Sequence, residues 1–94
     1  ESTKIHIENA ILMARKYNLK DILSRLYIFY GKYFQELGLI KSPKQVEYLQ
    51  GAEKLYSQAK ELIDQTETKH AYQNLKKAQN VLNSFCRLNN IELS

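Results

Sequence analysis

Apolar residues recur three and four positions apart along nearly the whole 94-residue chain, and nowhere do they alternate with period two over a strand's length. That spacing stacks them on one face of an α-helix, where side chains three or four apart lie one above the other. Strands would also need turns. The chain has three glycines and one proline, too few for an all-β sandwich or barrel. The fold class is therefore all-α. Periodicity and punctuation together predict four helices, over 3–17, 19–37, 43–64 and 70–89, in one domain covering 1–94.

The first helix shows Ile7, Ile11 and Ala14, and Asn18 is its expected terminator because asparagine tolerates positive φ. The second carries Ile22, Leu23, Leu26, Tyr27, Phe29, Tyr30, Tyr33, Phe34 and Leu37, a stripe too wide for one neighbour. It is expected to be covered on two sides. Gly38 followed by Leu39 reads as a Schellman stop. The third opens on Ser42-Pro43-Lys44-Gln45, a serine N-cap with proline at the first helical position and glutamine placed for a capping box. Leu49, Ala52, Tyr56, Ala59 and Ile63 then repeat at three and four. Ala71, Leu75, Ala78, Leu82 and Phe85 define the fourth helix, which fades at Asn89-Asn90. Short connections make consecutive helices antiparallel. Two architectures satisfy that: a closed four-helix bundle, or helix pairs of a right-handed solenoid.

The middle helices carry the sharper pattern. Tyr27, Tyr30-Gly31 and Phe34 follow one another on the second, and Ala52, Tyr56 and Ala59 on the third. A glycine inside a helix costs about 1 kcal/mol against alanine, so Gly31 needs a packing reason. Without a side chain it lets the partner helix approach, while Ala52 and Ala59 leave room for the large rings. This combination resembles one tetratricopeptide repeat (TPR), whose first helix pairs a large residue with glycine and an aromatic, and whose second carries small–aromatic–small. The link from Phe34 to Ala52 is longer than in the standard repeat, and long repeats of this kind are similar to those of bacterial signalling and regulatory proteins.

The resemblance implies a right-handed solenoid fragment of a larger protein, serving as a protein–protein interaction scaffold. It also implies that the first helix of each pair lines a concave surface. On the second helix the edge opposite Tyr27, Tyr30 and Phe34 is expected to present Arg25, Ile28, Lys32 and Gln35. Two cations flanking an isoleucine suit an acidic peptide with an apolar anchor. Tyr33 and Tyr48 are the tyrosines expected at the surface. An apolar end left without its next repeat is expected to self-associate.

Charge and reactive residues narrow the chemistry. The net charge is +4, and all of it falls in residues 1–44, which hold eight Lys/Arg against four acids; residues 45–94 hold six of each. No basic cluster exceeds a pair, as in Arg15-Lys16 or Lys76-Lys77. The stretch from Leu39 to Val46 is faintly like a turn before a recognition helix. Glu47 and Glu53 would oppose phosphate there, and base-reading arginines are missing, so the sequence argues against nucleic acid, the second functional class considered. A phosphotransfer four-helix bundle is the third. His70 would have to be its phosphorylated residue, yet Ala71-Tyr72-Gln73-Asn74 follows it instead of a Leu-Lys-Gly-like run.

His6 and His70 lie far apart, and the chain has no His-x3-His or His-Glu-x-x-His motif. Cys86 is a lone cysteine, expected to be a small buried hydrophobe. Glu61 and Asp64 fit a solvated helix face. No enzyme chemistry, metal or cofactor is expected. A single thiol fits a reducing cytoplasmic compartment, and the longest apolar run, Leu26-Tyr27-Ile28-Phe29-Tyr30, is far short of the ~20 residues that span a bilayer.

Overall fold

A computed structural model describes residues 2–66 and 69–93. The expected α-helices are present: α1 Ser2–Lys16, α2 Lys20–Leu37, α3 Gln45–Thr66 and α4 Lys69–Leu88, with no strand among the described residues. The fold is all-α.

Two helices end on asparagine for the same physical reason. Asn18 and Asn90 take φ of 53° and 54°, the left-handed region in which a short polar side chain is tolerated. At the end of α1 the Asn18 N–H reaches the Arg15 carbonyl at 3.1 Å and the Leu19 N–H reaches that of Ala14 at 2.9 Å. At the end of α4 the Asn90 and Ile91 amides reach the Arg87 and Cys86 carbonyls at 3.3 and 2.8 Å. Both are complete Schellman stops, which satisfy carbonyls the helix would otherwise leave unpaired.

Gly38 departs from expectation. Its φ of −79° is right-handed, so it is no Schellman glycine. Its role is spatial: a Cβ there would sit 2.6 Å from Leu49 Cγ. The capping box is also absent. Residues 42–44 form a turn, α3 begins at Gln45, and the Gln45 Nε2 donates to the Gly38 carbonyl at 2.9 Å. That glutamine ties the connection back to the end of α2 instead of closing on Ser42.

Helix α2 is the hub. Gly38 lies on Leu49, Phe34 beside Gly51, and Gly31 on Tyr56, so α2 and α3 run antiparallel along their shared length. Leu49, Ala52, Tyr56 and Ala59 are fully buried in that seam. A second flank of α2 takes α1, where Arg15 Nε and Nη2 donate to the Tyr27 hydroxyl at 3.0 and 2.7 Å and the Tyr30 hydroxyl donates to Glu8 Oε2 at 2.9 Å. Its third flank takes α4, which runs parallel to it: Ala71 and Asn74 stand beside Arg25 to Lys32, Ala78 and Val81 beside Lys32 to Leu39. The wide apolar stripe of α2 is thus flanked by three helices, one more than expected, and of its members Ile22 and Phe29 stay exposed. Helix α1 brings no Cα within 8 Å of α3 or α4. The molecule is a slab 18 Å in its short dimension, two helix layers deep at an interaxial spacing of about 8–10 Å.

One polar group lies at the centre of the seam. The Tyr56 hydroxyl donates to Gln35 Oε1 at 2.7 Å, both side chains being buried. Burial pushes the Tyr56 phenol well above its ordinary value, and burial followed by the Glu8 carboxylate does the same for Tyr30. A group that holds its proton more tightly when folded contributes stability that is complete below its unfolded pKa, about 10 for tyrosine. That contribution is lost as pH rises towards the folded value. Thermal melts are therefore expected to show a falling midpoint above about pH 10, with a shallower fall in Tyr56→Phe.

Two further tyrosines are less exposed than their sequence context suggests. Tyr33 and Tyr48 are half-buried, because Phe34 sits between their rings at centroid distances of 5.9 and 6.2 Å. With Tyr30, 4.8 Å from Phe34, they form one aromatic cluster joining α2 to the start of α3.

Candidate functional site

The outward edge of α2 faces solvent beside α4. Once α1, α3 and α4 have taken their flanks, the residues left exposed after Lys20 are Ile22, Arg25, Phe29, Lys32 and Glu36. Ile22 and Phe29 are seven apart, on one face of the helix, and keep 49% and 57% of their surface. Between α2 and α4 runs a cleft of about 220 Å³ lined by Arg25, Ile28, Phe29, Lys32, Ala71 and Asn74. A second cleft of about 270 Å³ continues it past Lys32, Gln35, Glu36 and Leu39 on α2, with Ala78 and Val81 opposite. Lys32 belongs to both.

Of the four residues expected on this edge, the structure exposes two. Arg25 and Lys32 project to solvent as the spacing predicts, about 10–11 Å apart along the axis at about 1.5 Å per residue. Ile28 and Gln35 do not: they are 5% and 8% exposed. Ile28 is covered by α4 and forms cleft floor, and Gln35 turns its amide oxygen inward to Tyr56. The apolar member of the exposed edge is Phe29, and Glu36 stands where Gln35 was expected.

Periodicity could not choose between them. Residues 28 and 29 both lie three or four from Arg25 and Lys32, and which one is covered depends on where α4 docks. The small residues Ala71 and Ala78 on the covering helix were the available signal.

Within the helix-pair motif, Gly31 lies against the Tyr56 ring. Tyr27, Tyr30, Gly31, Ala52, Tyr56 and Ala59 are buried and Phe34 half-buried. The hydroxyls of Tyr27 and Tyr30 reach the rim, where Arg15 and Glu8 meet them, whereas that of Tyr56 is internal.

Electrostatically the cleft is cationic on its α2 wall. Arg25 is bound to Asp21 at 3.3 Å, an exposed pair of small energetic weight. Lys32 forms no ion pair or hydrogen bond among the described residues. The balanced charge of residues 45–94 conceals a segregation: α3 carries four acids and two lysines, whereas α4 carries Lys69, Lys76, Lys77 and Arg87 with no acid.

The other reactive groups are dispersed. His6 and His70 are exposed on different helices, and Asp64 is paired with Lys60 at 3.0 Å on an exposed face. Cys86 is buried, and burial, helped by the Glu53 charge, pushes its thiol up, away from the thiolate form. Among the described residues no group of three His, Cys, Asp or Glu is placed to hold a metal ion, and no helix is long and apolar enough to cross a membrane. Comparison with family models, with curated proteins and with solved structures gives no match in any of the three.

Proposed function

We propose that this chain is a TPR-like protein–protein interaction module, part of a cytoplasmic signalling or regulatory protein, that binds peptides and performs no catalysis. The helices would be consecutive members of an open right-handed solenoid, with α2 and α4 as the parallel pair lining its concave side and α1 and α3 outside. The observation that carries the proposal is the solvent-facing row Ile22, Arg25, Phe29, Lys32 above the α2/α4 cleft. Two large apolar side chains alternate there with two cations, which suits an acidic segment carrying a bulky apolar residue. Phe29 supplies the aromatic contact, Ile28 and Ala71 the floor, and Asn74 a polar group on the opposite wall.

Exposed charges contribute about 0.2–1 kcal/mol each. Reversing both, in Arg25→Glu with Lys32→Glu, is therefore expected to weaken binding about 2- to 30-fold at about 1.4 kcal/mol per decade. The helical signal and melt should stay nearly unchanged, since neither side chain is buried. Fluorescence anisotropy with a library of acidic, aromatic-containing peptides measures this. Equal affinity for wild type and the reversed variant rules out this edge as the contact.

The acid-free α4 favours one competing reading, an anionic nucleic-acid partner. Titration of nonspecific DNA at two salt concentrations separates the two, because phosphate contacts give a steep salt slope.

A further inference from the structure

A different surface of the molecule is complementary to itself. Ile5, Glu8, Leu12 and Arg15 stand at three, four and three along α1, which places them in one row. All four are exposed, Ile5 at 56% and Leu12 at 61%. The row borders a cleft of about 400 Å³ between α1 and α3, with Tyr27 and Tyr30 among its lining residues and Leu55 and Gln58 on the α3 side. Neither charge in the row is neutralised by an ion pair among the described residues. Arg15 and Glu8 bond there to tyrosine hydroxyls, which fix their positions and leave each with unused hydrogen-bonding capacity.

From this pattern we infer that two copies of the chain associate through antiparallel α1 helices. Antiparallel pairing about a two-fold axis between positions 11 and 12 sets Glu8 of each copy opposite Arg15 of the other and brings the two Leu12 side chains together beside that axis. Parallel pairing would set Glu8 against Glu8 and Arg15 against Arg15. Charge therefore selects both the partner, a second copy, and its direction. The tyrosine hydroxyls hold both charged side chains in place before association, which lowers the ordering cost of the contact. Helix α4 offers no such match, since its charges are all of one sign. This surface is separate from the α2/α4 cleft, so dimerisation and peptide binding succeed or fail independently.

The test is sedimentation equilibrium from micromolar to millimolar concentration on wild type, Glu8→Arg, Arg15→Glu and an equimolar mixture of the two variants. Wild type is expected to dimerise. Each variant alone sets like charges opposite one another and should dimerise about tenfold more weakly or worse. In the mixture, both cross-helix contacts pair an arginine of the first variant with a glutamate of the second, so a heterodimer of near wild-type affinity is expected. Leu12→Glu removes neither partner of the two tyrosine hydrogen bonds and provides a second route if a charge variant unfolds; it should abolish the dimer while keeping the helical signal. A monomeric wild type at millimolar concentration, a mixture no more associated than its components, or a Leu12→Glu dimer of unchanged affinity would each overturn the inference.

Discussion

Gly31→Leu is expected to destabilise the protein by about 1–3 kcal/mol, the usual cost of overpacking a filled seam, whereas Lys32→Leu should leave the melt almost unmoved. Even a single Cβ at position 31 would touch the Tyr56 ring at Cε1 and lie 2.8 Å from Cδ1, and that ring is fully buried, with no solvent to move into. Lys32 projects into solvent one residue later on the same helix. The partner of the clash can be identified directly. Combined with Tyr56→Ala, the smaller change Gly31→Ala should lose most of its penalty, because the atoms it strikes are gone. Urea unfolding of the four proteins gives the coupling. Equal penalties in both backgrounds would show that the close approach is not to Tyr56.

Tyr56→Ala should be the most damaging single change, at about 3–5 kcal/mol, the range for removing a buried aromatic ring. Tyr56 is 1% exposed and is the largest of the fully buried side chains. Domains of this size have total stabilities of about 5–15 kcal/mol, so a large share would be lost. The hydroxyl contributes separately from the ring. Tyr56→Phe keeps the packing but leaves the Gln35 oxygen buried without its donor, at about 1–3 kcal/mol. Adding Gln35→Met removes the stranded acceptor and should return much of that loss. Calorimetric melts of the three variants measure the effect. A double variant less stable than Tyr56→Phe would show that the glutamine side chain holds the seam by packing rather than by its hydrogen bond.

The helices were legible because their apolar residues obey one period and nothing in the chain competes with it. Asn18 was legible as a terminator from its own chemistry. Gly38 and Gln45 were misread because in both cases the deciding partner lies in another element: Leu49 Cδ2 and Cγ fill the space where a Cβ would project from Gly38, and the Gly38 carbonyl captures the Gln45 amide. The same cause explains the candidate site. Arg25 and Lys32 are exposed because charged side chains seek solvent wherever the neighbours dock. Ile28 and Phe29 are both apolar, and only the position of α4 separates the buried one from the exposed one. The basic polar face of α4 was missed for a simpler reason, since averaging charge over residues 45–94 cancelled it against the acids of α3.

The order in which the helices touch also sets the order in which they can come apart. At backbone distance α1 is held by α2 alone, so it can lift away while the other three helices keep every contact they have with one another. Losing α2 instead would strip a neighbour from each of the rest. Local opening should therefore begin at the first helix and reach the α2/α3 seam last, in a sequence of partial states of increasing free energy rather than one concerted collapse. Arg15 and Glu8, bridging to Tyr27 and Tyr30, are the latches on that first step.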